Sequence, residues 1–298
     1  MTTVGARVRP SRMLVIAAAW GSCFLLLEWG IRGATVLWFV TWRALLAGVA
    51  LLAVGALSRR RNADSSPPLT AGTWGLIGVL AVMNVTLAFA AMAQSTLSLT
   101  TGIAAMLANA QPLLVILPAW ALFGEKPRPV EVAGVALGFG GLIVIALPSG
   151  GGHGAGLALL AAVGVTVGAL LARRLADVDV LMLGAWQYLL GGLMLALMAA
   201  VIEGPPTMGM PTSSVAALVT LALAGTAVPY VLWFTELRRA SITAVTSWTM
   251  LVPVIGAALG VVVLRESPSG AEIIGAAAVL VALAVVAYPG GFVVPKHR

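Results

Sequence analysis

The chain alternates between long apolar runs and short breaks rich in Gly, Pro and charge. The runs predict helices over 13–31, 34–57, 72–94, 100–123, 129–147, 154–172, 180–202, 212–235, 243–264 and 271–288. Most approach the roughly 20 apolar residues that a helix needs to cross a bilayer. The breaks include Arg59-Arg60-Arg61, Gly124 to Pro129, Glu203 to Pro211 and Arg265 to Gly270, all turn or loop compositions. The pattern predicts an all-α integral membrane protein with ten transmembrane helices.

Residues 100–148 match 241–289 at a constant offset of 141. Pro112 pairs with Pro253, Glu125 with Glu266, Pro127 with Pro268, Glu131 with Glu272, Gly134 with Gly275 and Pro148 with Pro289. Helices 2 and 7 match at an offset of 144, Trp42-Arg43-x-Leu-Leu-x-Gly48 against Trp186-Gln187-x-Leu-Leu-x-Gly192. Five helices per copy put the second copy into the membrane upside down. The expected organisation is two inverted five-helix repeats, residues 1–148 and 149–298, an architecture that secondary transporters use with a midplane site between the halves.

Composition agrees with lipid as the solvent. Of 298 residues, 60% are hydrophobic and 9% charged, against about 25% charged in soluble domains; mean hydropathy is +1.05. The net charge of +7 does not point to nucleic acid, because its distribution follows topology. With the N-terminus inside, cytoplasmic segments hold Arg7, Arg9, Arg12, Arg59, Arg60, Arg61, Lys126, Arg128, Arg173, Arg174, Arg238, Arg239, Lys296 and Arg298, which is 14 of the 17 basic residues. Only Arg32 and Arg265 fall outside and Arg43 lies within a helix. That bias predicts two cytoplasmic termini. The basic start followed by an apolar run reads as an uncleaved first helix, since nine further runs follow. Cys23, the single cysteine, permits no intramolecular disulfide and reads as a packing residue.

Polar residues within spans usually face the bundle interior. Asn84, Asn109, Gln111 and Gln187 are the uncharged ones, open both to interhelical hydrogen bonding and to substrate contact. Pro112 and Pro253 lie inside helices 4 and 9, where a missing N–H and a clash with the previous turn predict paired kinks. Arg43 sits near the middle of helix 2 and Glu28 in the outer part of helix 1. They suggest either a structural ion pair or a clamp on a zwitterion, Arg43 holding its carboxylate and Glu28 its amine. Trp20, Trp186, Tyr188, Tyr230, Trp233 and Trp248 are aromatic candidates for a cavity wall, with lipid-facing packing as the alternative for each. The set of expected substrate contacts is Trp20, Glu28, Arg43, Asn84, Asn109, Gln111, Gln187, Tyr230, Trp233 and Trp248. No acid or histidine stands at the centre of a span, so Glu28 is the only candidate for proton coupling. A membrane-embedded enzyme would need a cluster of His, Asp or Glu at one interface, and none is present in the sequence. A non-transporting subunit would normally carry a soluble domain, for which these loops leave no room. The chain is therefore not read as an enzyme, and no cofactor or metal is expected.

Ala19-Trp20-Gly21-Ser22 and Arg43, with Pro112, Glu125 and Gly134 repeated as Pro253, Glu266 and Gly275, resemble the EamA family of the drug/metabolite transporter superfamily. The likeness covers about 13–147 and 154–288. It implies ten helices, cytoplasmic termini in a bacterial inner membrane, and a central cavity lined mainly by helices 1, 3, 4, 6, 8 and 9. It also implies a carrier of small metabolites, largely an exporter of amino acids and related solutes. Such a carrier works within the lipid bilayer, as a monomer or weak oligomer. The glutamates Glu125 and Glu266 fall on opposite sides and read as caps or gate elements rather than ligands.

Overall fold

A computed structural model describes residues 8–62, 70–123, 129–146, 152–175, 177–206, 209–240, 245–246, 248–249 and 251–287. Glu125, Lys126 and the 241–244 stretch lie outside the described residues. Among the described residues every regular element is helical. Seven helices are long and apolar enough to cross a membrane. They are α1 (Pro10–Ile31), α2 (Val36–Asn62), α3 (Ala71–Ser95), α4 (Thr101–Leu122), α6 (Gly152–Ala172), α7 (Val180–Ile202) and α8 (Thr212–Leu237). Three others carry shorter apolar segments: α5 (Pro129–Ala146), α9 (Leu251–Leu264) and α10 (Gly270–Ala287).

Helix starts are set by acids and hydroxyls that accept otherwise orphaned N–H groups. Asp179 caps α7 at Met182 N, 2.9 Å, and Thr70 caps α3 at Thr73 N, 3.2 Å. Ser269 and Glu272 form a reciprocal capping box at α10, at 3.3 and 2.6 Å. Two caps come from distant sequence. Glu203 accepts from Leu37 N (2.9 Å) and Trp38 N (3.2 Å) at the start of α2. Glu266 accepts from Thr101 N (2.6 Å) and Gly102 N (3.1 Å) at the start of α4. Arg265, with φ of 60°, makes the turn that sends Glu266 back toward α4.

The packing pairs repeat themselves. Helix α2 lies along α7 and α5 along α10; α1 packs on α8 and α9, while α6 packs on α3 and α4. Exchanging each helix with the one five places on maps these pairs onto themselves. Two irregular stretches obey the same exchange: π-helical turns at Ala81–Leu87 in α3 and Leu223–Ala227 in α8. In each a threonine hydroxyl donates to the carbonyl five residues back, Thr86 to Ala81 at 3.1 Å and Thr226 to Leu221 at 2.8 Å. A carbonyl freed by the widened turn must be satisfied inside the protein where no water reaches it.

Large apolar side chains cover the outside: Leu197, Val201, Val262 and Ile274 are 71%, 85%, 71% and 68% exposed. In water such a surface would be an aggregation hazard; against acyl chains it is the favourable solvent. At one end of the bundle, fully buried Glu236 accepts from Arg12 Nη1 (3.0 Å) and Arg9 N (3.2 Å), with Arg239 at 4.0 Å. This ties the start of α1 to the end of α8. Nearby, Arg238 donates to the Val178 carbonyl, and burial pulls its guanidinium below the ordinary value while Asp179 opposes that shift.

Candidate functional site

A cavity of about 110 Å3 lies at the centre of the bundle. That is several times the roughly 10–15 Å3 that admits one water. Its wall draws on α1, α2, α3 and α4 from the first half and on α6, α7 and α8 from the second. No described residue of α9 lines it, and α2 and α7 contribute Arg43 and Tyr188 to the wall; residues 241–244, 247 and 250, at the start of the expected helix 9, lie outside the described residues.

Arg43 is the cationic centre. It is 3% exposed, and its Nε donates to Thr226 Oγ1 at 2.8 Å. Nη2 lies 3.8 Å from Cys23 Sγ, and Cζ stands 4.1 Å above the Phe89 ring centroid, a cation–π contact. Its Nη1 has no hydrogen-bond partner. Two further buried polar atoms on the wall are unpartnered, Gln111 Nε2 and Tyr230 Oη. Buried polar groups are ordinarily satisfied, so these three atoms keep hydrogen-bonding capacity on residues of the cavity wall.

The α4 break supplies part of that wall. The helix stops at Ala108, Asn109 and Ala110 leave helical geometry at ψ of 22° and 4°, and Gln111–Leu114 restarts the turn with Pro112 near its beginning. Asn109 Nδ2 donates to the Ala105 carbonyl at 2.7 Å. The break thus turns Asn109 and Gln111 toward the cavity, while Pro112 is buried behind them. Pro253 occupies the first turn of α9, where its missing N–H leaves nothing unpaired.

Aromatic rings form the rest. Phe89, Tyr188, Tyr230 and Phe234 follow one another at centroid distances of 6.0, 5.3 and 4.3 Å. Trp20 and Trp233 face each other at 5.1 Å.

Of the residues singled out from sequence, Trp20, Arg43, Asn84, Asn109, Gln111, Tyr188, Tyr230 and Trp233 lie round this one cavity. Gln187 is fully buried on α7 and Trp248 half-buried, neither on the wall. Glu28 pairs with Arg32 one turn on, at 3.5 Å, so it does not meet Arg43 in this conformation. Thr226, Phe24, Phe89 and Phe234 are wall residues that the sequence did not single out, and Cys23, read as simple packing, joins them. An i,i+4 spacing did advertise the Glu28–Arg32 pair. Nothing comparable advertised Thr226, whose partner lies 183 positions away.

A helical membrane bundle with a largely apolar central cavity, carrying one buried arginine and a few amides between like halves, is the class of protein that the geometry defines. The chain matches the EamA-like transporter family over residues 12–147 and again over 152–288. It belongs to that family, within the drug/metabolite transporter superfamily. Three curated relatives are informative. A WAT1-related chloroplast protein of Arabidopsis thaliana is 28% identical over 91% of this chain and 67% of its own length. The uncharacterized inner membrane transporter YedA of Escherichia coli K12 is 30% identical over 81% of this chain and 78% of its own. A probable amino-acid metabolite efflux pump of the same strain is 25% identical over 91% of each. One solved crystal structure shares the fold with a TM-score of 0.69 at 22% identity, covering 94% of this chain and 98% of its own.

Proposed function

We propose that the chain is a secondary-type transporter carrying a small amphipathic metabolite, an amino acid or a related solute, outward across a bacterial inner membrane. The observation that carries this reading is the buried Arg43 with an unpartnered Nη1 in a cavity walled from both halves. A buried polar atom left open is costly, and a solute that fills it gains that energy back. Trp20, Arg43, Asn84, Asn109, Gln111, Tyr230 and Trp233 are the proposed substrate contacts. Membrane-transporter relatives, one named as an efflux pump for amino-acid metabolites, support the solute class and direction.

On this reading ten helices cross the membrane as two inverted repeats, residues 1–148 and 149–298, with both termini cytoplasmic. Three long-range contacts support that topology, because each joins helix ends that it places on one side. Glu236 with Arg9 and Arg12 is cytoplasmic; Glu203 with Leu37 and Glu266 with Thr101 are external. Alternating access follows from rocking one repeat against the other round the cavity. The π-turns of α3 and α8 and the break in α4 are the places where backbone can flex at least cost. One chain contains a whole pathway, so a monomer suffices.

Purified protein in liposomes, tested for counterflow of a labelled amino-acid panel and its metabolites, checks the reading. Protein-dependent exchange of some member is expected. Absence of flux with every solute would contradict it.

A further inference from the structure

The cavity holds a buried cation and, among the described residues, no anion. Arg43 spends Nε on Thr226, leans Nη2 toward Cys23 and rests on Phe89, all uncharged partners. The acids are committed elsewhere: Glu28 to Arg32, Glu236 to Arg12, Glu203 and Glu266 to helix starts, Asp179 to the start of α7. None of them lines the cavity. Beyond Arg43 the wall offers neutral amides, Asn84, Asn109 and Gln111, and a succession of rings.

Charge balance then discriminates between solutes. An uncompensated charge in a low-dielectric site is strongly unfavourable, and an opposite charge at Nη1 relieves it. A monoanion brings the loaded site to neutrality. A zwitterion satisfies Arg43 with its carboxylate but leaves an ammonium to be desolvated where no carboxylate waits for it. We infer that the solute is a net monoanionic amphipathic carboxylate, an acid without a free ammonium group, its carboxylate on Arg43 and its apolar body against the Tyr188–Tyr230–Phe234 rings. This rests on the transport reading above and narrows its solute class from amino acids to their deaminated or N-blocked relatives.

The inference also accounts for direction without a coupling ion. A monoanion leaving a cell with a negative interior moves with the field. A potential of about 100 mV shifts the equilibrium distribution of one charge roughly fiftyfold. Outward movement therefore requires no proton relay, and no Asp, Glu or His stands on the described cavity wall.

The test uses the full chain and matched probes: phenylpropionate against phenylalanine and phenethylamine, and isocaproate against leucine. Apparent affinities come from thermal unfolding in detergent at rising probe concentration. Each acid is expected to bind at least about tenfold more tightly than its amino acid, with no stabilisation by the amine. R43Q is expected to abolish that preference and R43K to keep it. In liposomes at alkaline pH, with leak through protein-free vesicles subtracted, an inside-negative valinomycin potential is expected to drive phenylpropionate out toward the fiftyfold limit.

Equal or tighter binding of phenylalanine or leucine overturns the inference, because the rings would then be serving as an ammonium cage. Stabilisation by neither acid, or efflux indifferent to the potential, also overturns it. Exchange of amino acids without charge movement would sink the inference and leave the transporter reading intact. Binding in the expected order with no flux of any probe would uphold the site's charge preference and sink the transporter reading.

Discussion

Arg43 Nε donates to Thr226 Oγ1 across 2.8 Å, joining α2 of one half to the π-turn of α8 in the other. The same hydroxyl donates to the Leu221 carbonyl at 2.8 Å, so one threonine both satisfies the widened turn and aims the guanidinium at the cavity. Thr226→Val removes both bonds at nearly constant volume. A cost of about 1–3 kcal/mol in stability is expected, with weakened solute affinity, while Thr226→Ser stays close to the parent. Thermal unfolding and counterflow on the three proteins check this; a valine variant indistinguishable from the parent in both would contradict the role given to Thr226.

The α2–α7 seam is reciprocal. A Cβ on Gly48 would stand 2.9 Å from Leu189 Cγ, and one on Gly192 would stand 2.7 Å from Leu45 Cδ2. These four residues are the repeat-related Leu and Gly of the two matched motifs. Gly48→Ala and Gly192→Ala should each destabilise by about 1–3 kcal/mol through overpacking. Gly78→Ala, where nothing lies within 4 Å, should be neutral or slightly stabilising. Melting temperatures in one detergent decide it, and equal effects at all three positions would refute the close approach.

Glu266 holds the first two amides of α4, the helix whose later break carries Asn109 and Gln111. Glu266→Ala leaves those donors without their cap, at a cost of about 0.5–2 kcal/mol. Reduced transport is expected with it, because the wall of the cavity is anchored through that start. Glu266→Gln, which keeps one acceptor, should lose less. Unchanged melting of the alanine variant would show that water replaces the carboxylate without penalty.

The proposed topology places the C-terminus and the Arg59–Arg61 segment inside, and the segment around Gly204 outside. A fluorescent protein fused at the C-terminus should mature, and alkaline phosphatase there should be inactive. Phosphatase fused after Gly204 should be active. Inactive phosphatase at Gly204 would remove the inverted-repeat arrangement.

Helix placement was legible because lipid demands long apolar runs. Residues 180–202 and 129–146 sit where the hydropathy put them, to within a residue. The Leu-Leu-x-Gly spacing marked α2 and α7 as repeat copies, but that the two copies pack on each other is seen only in the structure. The π-turns at Ala81–Leu87 and Leu223–Ala227 left no such trace, since only a threonine five residues beyond a carbonyl distinguishes them. Polar cavity residues stood out as rare exceptions in apolar helices, which is how Arg43, Asn84, Asn109 and Gln111 were found. Phe24, Phe89 and Phe234 did not, because a helix that is apolar all round gives no sign of which face meets lipid and which meets the cavity. The Arg43–Glu28 pairing failed for a local reason: Arg32, four residues on, takes the glutamate first.

The account turns on Arg43 as the buried group that holds the solute. Arg43→Gln installs the residue found at the repeat-related position, Gln187, and removes the charge together with the guanidinium contacts to Thr226 and Phe89. Side-by-side counterflow of the parent and this variant, each reconstituted at equal amounts after eluting as a single folded peak, measures it most directly. Exchange by the parent and at least about a hundredfold less by the variant is expected, as for loss of a buried charge-assisted contact worth about 3 kcal/mol. A folded Arg43→Gln protein that exchanges as fast as the parent would contradict the central claim.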